Sequence, residues 1–241
     1  MTNTKQTPFP PVAGFKVGIL MLETEHVLLP GNVQNATTFP FPVIYEPVIG
    51  LSFPQLARGD VAADQLIKEA VIRLEGKGVS VIVGACGSFA QWQTRITQYA
   101  SVPVYASIMS QVPFVLAGLP ANQKLAVVFA TKSAFNQRVL DECHIRDTER
   151  LIILGAEEVA SFKDLFEIGS SEICDRFEQE FIQYLVKQKV RNPEIGAWLL
   201  QCSELPVYAA KIQQQTGLPV FDQSVLIEHL HQVVSRKEYQ Q

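Results

Sequence analysis

The chain has 241 residues, of which 47% are hydrophobic and 18% are charged, and its net charge is −4 at pH 7. This composition is typical of a folded globular protein and excludes disordered, collagen-like and small disulfide-rich proteins. No run of Lys and Arg resembles a nucleic-acid footprint, so we expect no nucleic-acid partner. No segment has the pattern of a signal peptide or a membrane span, so we expect a cytoplasmic protein without a membrane partner.

The first part of the chain alternates short apolar runs with helical patterns. Residues 1–15 contain three prolines and are predicted to form a flexible arm. Strands are predicted at residues 16–22, 43–48, 79–85 and 102–106. Helices are predicted at residues 60–77, 89–99 and 110–119. A loop rich in Pro and Asn, residues 30–42, separates the first two strands, and loops of this length are often functional.

The second part of the chain repeats this alternation. Strands are predicted at residues 125–130, 151–154, 197–201 and 218–221. Helices are predicted at residues 133–143, 170–189, 204–215 and 225–234. Strands that alternate with helices predict an α/β protein with parallel sheets.

Two cysteines occupy matching positions in the two parts. Cys86 and Cys202 each follow a predicted strand, and each lies 17 residues before a proline, Pro103 or Pro219, that opens the next strand. Similar α/β architecture alone could produce some repetition. Because the matched spacing includes the cysteines, we favour an internal duplication.

The chemistry expected of this cysteine pair is proton transfer. Ligands of open α/β sheets bind beyond the carboxyl ends of strands, and a helix that begins there lowers the pKa of a thiol. A thiolate on one side of a carbon next to a carboxylate can remove a proton, and a thiol on the other side can return one. Gly87 would allow close backbone approach to a ligand, and Ser88 and Ser203 would supply hydroxyl donors. A lone cysteine is more often buried in a core, which is our interpretation of Cys143 and Cys174.

Several segments resemble the aspartate/glutamate racemase superfamily, which also includes hydantoin racemases, maleate cis–trans isomerases and arylmalonate decarboxylases. The most specific is residues 199–206 around Cys202, followed by residues 216–222. Residues 85–88 match the position of the first cysteine, and residues 130–133 match the hydroxyl-rich turn that opens the second half. Residues 31–42 are similar to a loop in a less characterised branch.

The resemblance implies two pseudo-symmetric, flavodoxin-like halves, each a three-layer α/β/α unit with a parallel sheet, and a site at their interface. The first half would comprise residues 16–120 with the C-terminal helix, residues 223–241, packed back on it; the second would comprise residues 121–222. It also implies a homodimer or higher homo-oligomer, and neither a metal nor a cofactor.

The resemblance further implies roles for individual residues. Cys86 and Cys202 would be the acid/base thiols. The hydroxyl groups expected to hold a substrate carboxylate belong to Ser88, Thr131, Ser133 and Ser203. Apart from the resemblance, the loop at residues 30–42 offers two further candidates: Asn35 and Thr38 would reach the cleft, with hydrogen bonds inside their own loop as the alternative.

The predicted function is a cofactor-independent racemase or epimerase, an isomerase that acts on an amino acid or a related small carboxylate. The alternatives are a maleate isomerase-like or arylmalonate decarboxylase-like enzyme of the same fold, or an inactive carboxylate-binding protein. Gly87 and Ser88 depart from the Asn-Thr pair that follows the first cysteine in amino-acid racemases of this kind. The second cysteine is followed by Ser203 and Glu204 rather than the Thr-His of glutamate racemases, so glutamate is not the expected substrate.

Overall fold

The computed structural model of the protein describes residues 13–26, 28–167 and 171–238. Most of the arm predicted at residues 1–15 lies outside these ranges. In the described ranges the chain forms two four-stranded parallel sheets. None of the helices in these ranges combines the length and the apolar character that crossing a membrane requires. The cytoplasmic location and the homo-oligomer remain predictions.

The first half is built on a sheet with the strand order β2-β1-β3-β4. Its strands are β1 (Val17–Met21), β2 (Val43–Pro47), β3 (Val81–Gly84) and β4 (Val104–Tyr105). Its helices are α1 (Phe53–Arg58), α2 (Val61–Glu75), α3 (Gln93–Tyr99) and α4 (Val112–Gly118). Helix α2 begins where the sequence predicts, because the carboxylate of Asp60 accepts a hydrogen bond from the backbone N–H of Ala62.

The second half repeats the arrangement with the strand order β6-β5-β7-β8. Its strands are β5 (Lys124–Phe129), β6 (Leu151–Gly155), β7 (Ile195–Leu200) and β8 (Val220–Asp222). Its helices are α5 (Gln137–Glu142), α6 (Asp164–Glu167), α7 (Ser171–Arg191), α8 (Ala209–Thr216) and α9 (Gln223–Val234). The two sheets correspond strand for strand, which confirms the predicted fold class of two parallel α/β halves.

The structure differs from the sequence predictions mainly at the starts of helices. Four of the predicted helices, at residues 89–99, 110–119, 133–143 and 204–215, open as tighter 3-10 segments. Such segments are common at helix termini, and the hydrophobic periodicity does not distinguish them. Helix α1 is absent from the sequence prediction because its six residues are too few for a periodic pattern.

A single apolar core joins the two halves. Val17 and Ile19 on β1 pack in the same cluster as Leu125 and Val127 on β5. Leu20, which follows Ile19 and faces the opposite side of the sheet, belongs to the outer core between the first sheet and α2. This alternation buries both faces of each central strand, which explains why these strands are continuous apolar runs in the sequence.

Polar contacts also cross between the halves. The Arg138 Nε donates to the backbone oxygen of Gln91 at 2.9 Å, and its guanidinium lies 5.0 Å from the ring centre of Trp92. Gln223, the first residue of α9, donates from Nε2 to the backbone oxygen of Gly84 at 3.0 Å, and α9 contacts β1 and β3. These contacts fix the end of β3 and the turn after it against α5 and α9. The residue boundaries of the two halves remain a prediction.

Candidate active site

A cavity of about 480 Å³ lies between the halves, at the carboxyl ends of the central strands. Residues that follow β1, β3, β5 and β7 line it, which is where open α/β sheets bind ligands. Cys86 and Cys202 both line this cavity. Each cysteine is the second residue after its strand, after Gly84 on β3 and after Leu200 on β7. The structure therefore brings the two predicted thiols into one site.

The environment of the thiols differs from the expectation. The backbone N–H and the hydroxyl of Ser88 donate to Cys86, and the backbone N–H of Glu204 donates to Cys202; these bonds favour the thiolates. Burial outweighs them and raises the pKa of Cys86 and of Cys202 above the ordinary value. The negative charge of Glu204 raises both pKa values further. The expected lowering of the thiol pKa by a helix N-terminus is therefore wrong for the protein without a ligand.

Close contact between the halves depends on Gly87. A Cβ at position 87 would collide with the backbone oxygen and the side chain of Gln201. Gln201 immediately precedes Cys202, so this contact sets how near the two thiol-bearing turns can come. Gly87 lines the cavity as predicted, but the close backbone approach that it allows is to the other half of the protein.

Three of the four residues whose hydroxyls are predicted to bind a carboxylate line the cavity. Ser88, Thr131 and Ser203 line it. Ser133 is exposed and is not among the described lining residues; its Oγ lies 3.1 Å from Oγ1 of Thr131. Ser133 therefore contacts a residue of the cavity rather than the cavity itself.

Asn35 and Thr38 form hydrogen bonds inside their loop and are not among the described residues that line the cavity. Asn35 Nδ2 donates to the backbone oxygen of Leu28 at 2.7 Å. Thr38 Oγ1 donates to the backbone oxygen of Asn32 at 2.6 Å and accepts from the N–H of Gly31 at 3.0 Å. The structure therefore favours the alternative for Asn35 and Thr38, which is hydrogen bonding inside their own loop.

The same loop places Asn32 against Glu204. Gly31 has a φ of 102°, and a Cβ there would lie 3.0 Å from Cα of Val207, so a side chain at this position would be strained. Asn32 Nδ2 donates to Oε2 of Glu204 at 2.8 Å, and His26 Nε2 lies 3.0 Å from Oε1 of Glu204. The hydrogen bond to Glu204 raises the pKa of His26, and this effect is larger than the opposite effect of burial.

His26 and Asn32 are site residues that the sequence analysis missed. Asn32 is 172 positions and His26 is 178 positions from Glu204, and no spacing or motif connects them. The Pro- and Asn-rich composition of the loop indicated a functional segment, but not which amide would face the site.

Aromatic rings and two carboxylates line the cavity together with His26. Phe53, Phe162 and Phe166 line it together with Glu23 and Glu204. Among the described lining residues there is no Lys or Arg. The site is therefore suited to a small ligand with a cationic group, which carboxylates and aromatic faces attract.

Comparison with known sequences finds relatives that are named as lyases. The chain is 28% identical over 222 residues to dimethylsulfoniopropionate lyase of Durusdinium sp. clade D, covering 88% of this chain and 73% of the relative. It is 28% identical over 216 residues to dimethylsulfoniopropionate lyase 3 of Emiliania huxleyi (strain CCMP1516), covering 86% of this chain and 56% of the relative. No family model matches the chain.

These names overturn the predicted function. A racemase or epimerase was expected, and the curated relatives are dimethylsulfoniopropionate lyases. The prediction of an isomerase is wrong for the same reason. The motif around Cys202 indicates the fold and a thiol site, but the same pair of thiols can serve more than one reaction.

Comparison with solved structures finds the fold that the sequence resemblance implied. An aspartate racemase homologue from Pyrococcus horikoshii OT3 superposes with a TM-score of 0.58 at 16% identity, covering 92% of this chain and 99% of that chain. Unliganded arylmalonate decarboxylase superposes with a TM-score of 0.56 at 14% identity, covering 93% of this chain and 95% of that chain. The protein therefore has the fold of the aspartate/glutamate racemase superfamily, with its paired cysteines in the cleft between the two halves.

Proposed function

We propose that the protein is a lyase that eliminates dimethyl sulfide from dimethylsulfoniopropionate and leaves acrylate. The observation that carries the proposal is the pair of thiols in a cavity whose other charged groups suit a cationic ligand. The names of the relatives supply the substrate.

The bonding of dimethylsulfoniopropionate fits this chemistry. Its carboxylate acidifies the protons of the alpha carbon, and its beta carbon carries a positively charged sulfur, which is a good leaving group. A base removes an alpha proton, the electron pair of that C–H bond forms the double bond, and the C–S bond breaks with its pair on sulfur. The products are acrylate, neutral dimethyl sulfide and one proton on the base, so atoms and charge balance.

We assign the base to Cys86. The N–H and the hydroxyl of Ser88 both donate to its sulfur, whereas Cys202 receives a hydrogen bond from the N–H of Glu204. At Cys202 the negative charge of Glu204 raises the pKa more than the Glu204 N–H lowers it, whereas at Cys86 the hydrogen bonds from Ser88 outweigh that charge. The Cys86 thiolate is therefore the easier of the two to form.

Substrate binding also helps to form that thiolate. Burial raises the pKa of both thiols, and a positive charge bound nearby acts in the opposite direction. The sulfonium group would supply this charge only while intact substrate is bound. The base would thus become reactive when its substrate is present.

The carboxylate lies at the opposite end of the substrate from the sulfonium group and needs hydrogen-bond donors. The hydroxyls of Thr131 and Ser203 line the cavity on the turns that follow β5 and β7. We assign the carboxylate to Thr131 on the turn after β5, because the turn after β7 also carries the anionic side chain of Glu204. Donors placed there stabilise the negative charge that develops on the carboxylate as the alpha proton leaves.

The test is an assay of purified protein with dimethylsulfoniopropionate. Dimethyl sulfide is measured by headspace gas chromatography and acrylate by liquid chromatography, and the two should appear in equal amounts. Cys86→Ser should lower the rate about 100-fold or more, because a hydroxyl is a far weaker base than a thiolate. Cys202→Ser should keep more activity, since elimination needs one base.

Other outcomes would count against the proposal. Absence of both products from folded wild-type protein would refute the lyase function. A larger loss in Cys202→Ser than in Cys86→Ser would reverse the assignment of the base.

A further inference from the structure

We propose that the carboxylate of Glu204, with the rings of Phe162 and Phe166, forms a subsite for the cationic end of a zwitterionic substrate. The inference rests on the proposed function and assigns the sulfonium group to one end of the cavity. Glu204, Phe162 and Phe166 all line that cavity.

Glu204 is held in place by the first half of the protein. His26 binds one carboxylate oxygen at 3.0 Å, and Asn32 binds the other at 2.8 Å. A carboxylate oxygen has more than one acceptor site, so these bonds leave each oxygen able to contact a cation. Glu204 lies two residues after Cys202 and lines the same cavity as Cys202 and Cys86, so a cation bound against Glu204 lies in the cavity that holds the thiols.

An aromatic wall continues from this carboxylate. The ring of Phe166 packs edge-on against His26 with ring centres 5.0 Å apart. Phe162 packs edge-on against Phe166 with ring centres 5.3 Å apart. Aromatic faces attract cations. Phe162 is buried, and Phe166 is 41% exposed. Neutral dimethyl sulfide lacks this attraction, so the subsite distinguishes substrate from product.

A second carboxylate in the cavity is less suited to this role. Glu23 lines the cavity but is exposed to solvent, which screens its charge. The side chain of Glu204 is only 15% exposed. Glu204→Gln and Glu23→Gln are therefore matched variants. Each removes one negative charge from the cavity lining, the first at a partly buried position and the second at an exposed one.

The experiment compares binding of two analogues that cannot lose dimethyl sulfide. One is 3-(trimethylammonio)propionate, and the other is 4,4-dimethylpentanoate, its neutral isostere in which carbon replaces nitrogen. Affinities are measured by isothermal titration calorimetry at a pH near 9, where protonation of the competing His26 is least. Wild-type protein should bind the cationic analogue about tenfold or more tightly than the neutral one.

The variants locate the origin of this preference. Glu204→Gln keeps the shape of the side chain and an oxygen that can accept from Asn32, and it should bind the two analogues about equally. Phe166→Leu should reduce the preference about threefold. Glu23→Gln should retain most of it. Circular dichroism confirms that each variant is folded before binding is measured.

The results separate this inference from the proposed function. Equal or undetectable binding of the two analogues by wild-type protein would overturn the subsite, even if the protein cleaves dimethylsulfoniopropionate. Loss of the preference in Glu23→Gln but not in Glu204→Gln would also overturn it. A preference that Glu204→Gln abolishes would establish the subsite even if no dimethyl sulfide is released.

Discussion

Asn32 in the first half donates a hydrogen bond of 2.8 Å to the Glu204 carboxylate in the second half. Its own amide oxygen accepts from the backbone N–H of Gln34 at 2.8 Å. Asn32 is 1% exposed. One buried amide therefore shapes the loop and connects it to the residue that lies two positions after Cys202.

Replacing this amide should destabilise the protein. Asn32→Ala leaves the N–H of Gln34 without its acceptor and Glu204 without one donor, so we expect a loss of about 1–3 kcal/mol in the free energy of unfolding. Urea denaturation measures it. Thr37→Ala is the control: it removes only the exposed hydrogen bond from Thr37 Oγ1 to Asn35 Oδ1 in the same loop and should change stability by less than about 0.5 kcal/mol. Equal effects of the two substitutions would contradict the role of Asn32.

Gly87 should tolerate no side chain. The Cβ of Gly87→Ala would collide with Gln201, so we expect a loss of about 1–3 kcal/mol in unfolding free energy and a fall in activity as the two thiols separate. Gly118→Ala is a matched control, because a Cβ there meets nothing within 4 Å, and it should be neutral or slightly stabilising. Thermal and urea unfolding compare the two. A Gly87→Ala protein as stable as Gly118→Ala would show that the halves do not meet closely at this point.

The pair formed by His26 and Glu204 should make stability depend on pH. The pKa of His26 in the folded protein is raised above its ordinary value of 6.5, chiefly by the hydrogen bond to Glu204. The stabilisation is therefore fully present below about pH 6.5 and is lost as the pH rises through the raised pKa. The difference in unfolding free energy between wild type and His26→Gln should be larger at about pH 6 than at about pH 9.

His231 provides a control of opposite sign for this experiment. Burial lowers its pKa, and its ring stacks on Phe41 with ring centres 3.7 Å apart. The stability of wild type relative to His231→Gln should therefore decrease, not increase, as the pH falls through the ordinary pKa of histidine. The same direction of pH dependence for both variants would argue against the His26–Glu204 pair.

The cavity thiols should react slowly in the free protein. Because burial raises the pKa of Cys86 and Cys202, little thiolate forms at neutral pH. The rate at which iodoacetamide alkylates each residue is measured by peptide mass spectrometry. At about pH 7 this rate should be lower than the rate for glutathione, and it should still increase with pH at about pH 9. A rate that has already reached its plateau near pH 7 would indicate depressed pKa values instead.

The fold follows from local patterns in the sequence. The eight predicted strands all correspond to strands in the described residues. The central strands β1, β3, β5 and β7 are short apolar runs that are almost fully buried, which gives them the clearest sequence pattern. Matched spacing also located Cys86 and Cys202, since equivalent turns of a repeated α/β unit end at the same edge of their sheets. The conformation of the turn after each strand was less predictable, because short 3-10 segments carry no distinctive periodicity.

Tertiary structure alone decided the surroundings of the thiols. Burial and the charge of Glu204 reverse the shift in thiol pKa that a helix N-terminus by itself would cause. The loop between β1 and β2 brings His26 and Asn32 to Glu204 across the interface, while Asn35 and Thr38 serve the loop itself. Residue types and spacing describe what a segment can form. Which groups meet, and how far water is excluded from them, depends on packing between segments that are far apart in the chain.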